Sequence, residues 1–232
     1  MKLAQAMILA AGRGERMRPL TDSKPKPLLE VRGTPLMGYH LQALFRAGFD
    51  QVVVNTAWLG EQIEQHYGAE SSGVHIAYSH EGRDFGGALE TAGGILRALP
   101  LLDEVFWIVA GDVYMPDFRF AREAFQRFAA SGKLAHIYLV PNPEHNPKGD
   151  FALRADGIAT NAADGRLTYS TTGLFRRSFF DALSAGNPEG LKVKLAPLLR
   201  AAMDLEQVSA ERYDGPWTDV GTPQRLDSLN NG

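Results

Sequence analysis

The sequence predicts an α/β fold: a doubly wound, mixed but mainly parallel sheet, with a smaller β-rich lobe toward the C-terminal end. Three observations lead there. The runs 5–9, 51–55 and 105–110 are short and apolar, as strands buried on both faces are. Amphipathic segments separate them, and a strand–helix–strand order at short spacing makes parallel neighbours. Past residue 140 the helical pattern thins and Pro, Gly, Asn and Asp multiply, which reads as turns between short antiparallel strands.

Bulk composition bounds the function classes. The 232 residues are 44% hydrophobic, ordinary for a globular core, and a single domain is expected. A formal net charge of −3 suggests no nucleic-acid or membrane partner. No cysteine is present, which excludes disulfides and thiolate metal sites and fits a reducing, cytoplasmic setting. The apolar run after Met1 and Lys2 is only strand-long and turns into a charged loop, so no leader is expected. No stretch approaches the roughly 20 apolar residues of a membrane span.

Each element has its own signal. Gln5–Leu9 is the first strand. Pro35 sits at the favoured first position of a helix whose Leu36, Met37, His40, Leu41, Leu44 and Phe45 share one face, and Gly48 stops it. Gln51–Asn55 is rich in β-branched residues, a strand signal. A short helix over 59–67 and a strand over 74–79 follow. His80–Gly87 reads as a polar glycine loop, and Leu89 opens a helix reaching Leu99. Val105–Ala110 is the most apolar run and the expected central strand. Phe118–Ser131 reads as a helix, 135–140 as a strand, and 151–153, 158–161 and 167–175 as the short strands of the second lobe. A helix that the stretch Leu191–Leu199 precedes, and a short final one holding Leu226 and Leu229, complete the chain.

The most informative stretch is Leu9-Ala10-Ala11-Gly12-Arg13-Gly14-Glu15-Arg16, with Pro25-Lys26-Pro27 beyond it. A strand that empties into a glycine-rich, arginine-dense loop gathers backbone N–H groups and cations at one point, which suits phosphate. Gly12 and Gly14 let a ligand approach the main chain. Arg16 can fork onto phosphate oxygens, and Lys26 is a point charge stiffened by two prolines. The loop is not a P-loop, for no G-x-x-x-x-G-K-[ST] exists, and Met17 stands where a dinucleotide fingerprint needs its third glycine.

Further candidates lie at the carboxyl ends of predicted strands, where open α/β sheets bind ligands. Glu81 is placed to accept from an imino N–H of a base, uracil or guanine alike. Gly93 and Gly94 near a helix start suit either a base lying on the backbone or tight helix packing, and sequence alone leaves both open. Asp112, just past the central strand, is a hard oxygen ligand suited to Mg²⁺ or a helix cap. Asp150 suits sugar hydroxyls or a turn. The six histidines show no zinc spacing, and no G-x-S-x-G or paired Cys/His nucleophile exists.

The Leu9–Thr21 stretch plus Pro25-Lys26-Pro27 resembles the signature of the sugar-phosphate nucleotidyltransferases, and the similarity runs from Lys2 to about Leu229. Ala57-Trp58-Leu59-Gly60, Gly149-Asp150-Phe151, Lys194 to Arg200 and Trp217 to Thr222 resemble most the branch that uridylylates N-acetylmuramate 1-phosphate in peptidoglycan recycling. The resemblance implies a Rossmann-like, GT-A-like fold, residues 1–140 mainly holding nucleotide and 141–222 mainly holding sugar phosphate. It implies transfer from a nucleoside triphosphate, UTP first, to a sugar 1-phosphate with release of pyrophosphate. Arg16 and Lys26 are then the catalytic cations; Leu9 to Arg16, Lys26, Glu81, Gly93 and Asp112 meet the nucleotide. Asp112 and Asp219 hold Mg²⁺, Lys194 meets the acceptor phosphate, and Asp150, Thr91 and Asn55 meet the acceptor. A monomer or small homo-oligomer is expected. A guanylyltransferase for mannose 1-phosphate, another sugar- or choline-phosphate enzyme, and a non-catalytic nucleotide-binding subunit are the alternatives.

Overall fold

A computed structural model describes residues 2–231. In chain order the strands are β1 Ala4–Ala10, β2 Glu30–Val31, β3 Thr34–Pro35, β4 Gln51–Thr56, β5 Glu70–Ser71, β6 Val74–His80, β7 Leu102–Ala110, β8 Val113–Tyr114, β9 Ala135–Val140, β10 Phe151–Leu153, β11 Ala159–Thr160, β12 Arg166–Arg176, β13 Val208–Arg212 and β14 Thr218–Asp219. The helices are α1 Leu20–Ser23, α2 Leu36–Arg46, α3 Gly60–Tyr67, α4 Glu81–Phe85, α5 Glu90–Ala98, α6 Arg122–Ala130, α7 Leu195–Asp204 and α8 Pro223–Asn231.

One sheet runs in the order β11-β10-β12-β7-β1-β4-β6-β5, with β9 paired to β12 and β13 to β9. Its strands are buried on both faces by alternation. Ala6, Ile8 and Ala10 of β1, Val52 and Val54 of β4, and Trp107 of β7 pack with Leu41 and Leu44 of α2, Ile63 of α3 and Phe128 of α6. Met7, Val53, Phe106 and Ile108 point the other way and pack with Ile95 and Leu96 of α5 and Leu199 and Met203 of α7. A period of two on a strand with helices on both sides is what doubly winds the sheet.

The fold class is the expected one, with three corrections. Parallel pairing is confined to β6-β4-β1-β7 and to β9 with β13. The joins of β12 to β7, β9 and β10 are antiparallel, so "mainly parallel" describes the centre only. Residue 140 is no seam either: β12, expected in the second lobe, is hydrogen-bonded between β7 and β9 of the first. A long strand in the middle of a sheet satisfies its backbone groups on both edges, which a separate lobe would leave open. The expected His80–Gly87 loop is mostly helix α4, closed by Gly86 at φ 75°.

Two helix starts also differ. Pro35 is the residue before α2, in extended conformation, and α6 begins at Arg122. Phe118 and Phe120 are instead buried against the Trp107 ring at 6.0 and 5.2 Å between centroids.

The central strands end in line. Ala10 is paired with Thr56 and Thr56 with His80, while Leu9 faces Ala110. That common edge is the floor of the candidate site.

Candidate active site

The loop after β1 is shaped by its own side chains. Gly14 adopts φ 67°, ψ 37°, left-handed backbone that a side chain would strain. Its carbonyl accepts from Met17 N at 2.9 Å and from Thr21 Oγ1 at 2.8 Å. Arg13 folds back rather than outward. It donates to Thr21 O at 2.9 Å and Asp22 Oδ1 at 3.0 Å, and its guanidinium lies 3.7 Å over the Trp58 ring. Arg18 Nε reaches the same Asp22 oxygen at 2.8 Å. The hydrogen bond from Arg13, then Arg18, holds the Asp22 carboxyl below its ordinary range. Asp22 therefore offsets the like-charge repulsion between Arg13 and Arg18. Arg13 fixes the loop's shape, and Arg16 and Glu15 stay exposed. No atom lies within 4 Å of where a Cβ on Gly12 would stand, so the chain itself does not require a glycine there.

A cavity of about 680 Å³ opens at the strand ends. Of the expected residues, its wall holds Leu9, Ala10, Ala11, Gly12, Lys26, Asn55, Glu81, Thr91, Asp112, Asp150 and Lys194. Arg13, Gly14, Glu15, Arg16, Gly93 and Asp219 are not on it. Lys26 is 8% exposed, and its ammonium donates to Asp112 Oδ2.

Asp112 and Asp219 meet through the backbone. The two-residue ladder of β8 and β14 sets Asp219 opposite Val113, and Val220 N donates to Asp112 O at 3.0 Å. Asp219 Oδ2 accepts from Arg225 Nη1 at 2.7 Å. His145 Nε2 stands 2.9 Å from Oδ1, which is buried and accepts no hydrogen bond. An orphaned carboxylate oxygen beside a second aspartate fits a hard cation. Among the described residues no group of three or more His, Asp or Glu side chains could hold a metal. Mg²⁺ does not need one, since it is commonly held by one or two carboxylates plus substrate phosphates. Arg16 joins this corner: a Cβ on Gly221 would lie 3.3 Å from Arg16 Nη2 and 3.3 Å from Asp219 Oδ2. Below it, the ring of fully buried His40 bonds Val113 O at 2.8 Å and braces the turn that carries Asp112.

Glu81 differs from expectation. Its side chain is fully buried, Oε1 accepts from Asn55 Nδ2 at 2.5 Å, and Oε2 accepts from Leu89 N at 2.7 Å. Asn55 Oδ1 in turn accepts from Ala10 N at 2.8 Å. Both carboxylate oxygens are thus committed to the chain, and burial pushes the Glu81 pKa up. The trio ties the ends of β1 and β4 to the start of α5. Gly93 and Gly94 serve the same packing: a Cβ would lie 2.5 Å from Leu191 O at Gly93 and 2.3 Å from Glu81 Oε1 at Gly94. Of the two readings the sequence left open for these glycines, the geometry shows close packing.

The general model of nucleotidyl transferases matches residues 5–151. The chain belongs to the nucleotidyl transferase family. A relative from Neisseria meningitidis serogroup B named N-acetylmuramate alpha-1-phosphate uridylyltransferase is 50% identical, covering 96% of this chain and 95% of that one. Its namesake from Caulobacter vibrioides is 31% identical over 94% of this chain and 92% of that one. Among solved structures, a UDP-glucose pyrophosphorylase from Acinetobacter baumanii superposes with a TM-score of 0.78 at 18% identity, covering 98% of this chain and 92% of that one.

In this nucleotidyl transferase the far wall of the cavity comes from β10, β12 and α7. Asp150 Oδ2 accepts from Tyr169 N at 2.8 Å and Asn146 Nδ2 at 3.2 Å. Thr171 lies on the wall at φ 57°, where the register of β12 against β9 slips. Glu90, also on the wall, has φ 63°. Left-handed backbone at a β-branched residue costs on the order of 1–3 kcal/mol and gathers at functional sites. Ser170 O, next to it, accepts from Trp217 Nε1 at 3.2 Å, which couples the wall to β14. Sequence reasoning gave no role to Thr171, His40, His145, Arg200 or Arg225. Nothing in a linear pattern marks a φ angle or a lone cation two elements away.

Proposed function

We propose that this enzyme joins UTP to N-acetylmuramate 1-phosphate, releasing pyrophosphate, with Mg²⁺, and that it serves cytoplasmic peptidoglycan recycling. The N. meningitidis relative supports the substrates by its name and near-complete coverage. The observation that carries the chemistry is the Lys26–Asp112 pair on the cavity wall, with Asp219 brought beside it by β14.

The reaction is a direct displacement. An oxygen of the sugar 1-phosphate forms a bond to the α-phosphorus as the bond to the bridging oxygen breaks, and pyrophosphate carries away the electron pair. The nucleophile is already an anion, so the chain needs to align and neutralise rather than to abstract a proton. The backbone N–H groups at Ala11 and Gly12 and the Arg16 guanidinium would receive the leaving phosphates. Lys26 would lie against the α-phosphate. Asp112 and Asp219 would hold Mg²⁺, which when bound supplies Lewis-acid neutralisation of phosphate charge. Lys194, at the N-terminal end of α7, would take the acceptor phosphate. A matrix of nucleoside triphosphates against sugar 1-phosphates, read by pyrophosphate release with Mg²⁺ or EDTA, tests this. UTP with N-acetylmuramate 1-phosphate should give the highest kcat/KM; turnover with GTP and mannose 1-phosphate instead would overturn it.

A further inference from the structure

We propose that Arg200 reads a carboxylate carried by the acceptor sugar, making it the residue that selects acidic over neutral sugar 1-phosphates. This rests on the proposed acceptor, whose ring differs from N-acetylglucosamine 1-phosphate by one lactyl ether and therefore by one carboxylate. The site must offer a second cation, distinct from the one that takes the phosphate.

The wall has three cations, Lys26, Lys194 and Arg200. Lys26 pairs with Asp112 and is the cation proposed for the α-phosphate, so it is not free for the acceptor's carboxylate. Lys194 precedes α7, whose N-terminal dipole favours the more highly charged phosphate. Arg200 lies six residues further along, about 9 Å of helix rise. Two cations at separate points of one wall can meet two anionic groups on one pyranose ring.

Arg200 is half-buried yet meets only neutral partners. Nη1 donates to Asn161 Oδ1 at 3.2 Å and Nη2 to Asp150 O at 3.3 Å. The guanidinium lies 5.0 Å over the Phe151 ring. Among the described residues no carboxylate lies within ion-pair distance of it. The nearby Asp150 carboxylate turns its Oδ2 to Tyr169 N and Asn146 instead. Asn161 also grips the helix beneath it, donating to Arg200 O at 3.0 Å and Asp204 Oδ1 at 2.7 Å. The side chain is thus oriented by an aromatic face and two acceptors, with N–H groups left over. A preoriented planar fork on a cavity wall is what a carboxylate takes in bidentate fashion, and lysine cannot reproduce it.

The test measures kcat/KM for N-acetylmuramate 1-phosphate, its lactyl methyl ester, and N-acetylglucosamine 1-phosphate, in wild type, Arg200→Gln and Arg200→Lys. Thermal melting checks that each variant folds. Wild type should prefer the free acid over its ester and over the neutral sugar by about 10²-fold, the scale of one desolvated charge pair. Arg200→Gln should lose most of that preference, by falling with the acid and by less than about threefold with the ester or the neutral sugar. Arg200→Lys should recover only part of the preference. Equal losses on all three acceptors, or undiminished preference for the acid, would overturn the assignment. Wild type that ignores the acid but turns over a neutral sugar would instead strike the proposed acceptor itself, so the two failures are told apart.

Discussion

Lys26 donates to Asp112 across 86 positions of sequence, and the pair lines the cavity with Lys26 8% exposed. A cation and a carboxylate that neutralise each other in the free enzyme can both turn to phosphate and metal when those arrive. Lys26→Met should lower kcat by about 10²–10³, the loss expected for one preorganised donor. Asp112 keeps 35% of its side chain exposed and can solvate once its partner is gone. The melting temperature should therefore move little. Steady-state pyrophosphate release and a thermal melt check both, and near-normal turnover would remove Lys26 from the chemistry.

Two glycines should respond in opposite ways. At Gly12 a Cβ meets nothing within 4 Å, so Gly12→Ala should hold stability within about 0.5 kcal/mol while raising KM for the triphosphate. At Gly94 a Cβ would strike the buried Glu81 carboxylate at 2.3 Å and Asn55 Nδ2 at 2.9 Å. Gly94→Ala should destabilise by about 1–3 kcal/mol through overpacking. Denaturant titrations beside initial-rate measurements distinguish the two outcomes.

Acid should weaken the fold through the buried His40 and the half-buried His136. Burial lowers the pKa of His40 and of His136 from 6.5 to about 4. The unfolded chain then binds more protons than the native one between those values. Stability is present in full above pH 6.5 and is lost as pH falls toward 4. Each histidine contributes roughly 3 kcal/mol at most over that window. His136, bonded to Ser209 Oγ at 2.9 Å, is remote from the cavity wall. His136→Gln should flatten part of the slope of unfolding free energy against pH from 6.5 to 4.5. An unchanged slope would mean that His136 titrates normally in the folded state.

What was legible in the sequence follows from the kind of signal each feature leaves. β1, β4 and β7 announce themselves because burial on both faces leaves runs such as Val105–Ala110 with no polar position. The Gly12–Lys26 loop is legible because its residue types are rare together. The insertion of β12 between β7 and β9 is not, because strand order is fixed by contacts between segments far apart in sequence. Nor is the commitment of Glu81 to Asn55 and Leu89, or of Arg13 to Asp22. A polar residue in a glycine loop reads the same whether it faces a ligand or its own backbone. The family resemblance implies the pairing of Asp112 with Asp219, and the β8–β14 ladder with the Val220 N to Asp112 O bond brings their backbones together.

Asp219 gives the sharpest test of the metal. Its Oδ2 is held by Arg225, while Oδ1 is buried without a hydrogen bond and has only the His145 ring 2.9 Å away, so a cation at Oδ1 would satisfy an atom that accepts from no donor of the chain. Asp219→Asn keeps the shape but turns one oxygen into an NH₂ group that cannot ligate. The substitution also weakens the Arg225 contact, whose burial is partial, so a loss of up to about 1 kcal/mol in stability is expected. Activity should fall far more than that, and the Mg²⁺ concentration for half-maximal rate should rise by about tenfold or more. Arg225→Gln separates the two effects, since it removes the ion pair and keeps the carboxylate. If Arg225→Gln and Asp219→Asn lose activity equally with no change in Mg²⁺ requirement, Asp219 acts through the ion pair and not as a ligand.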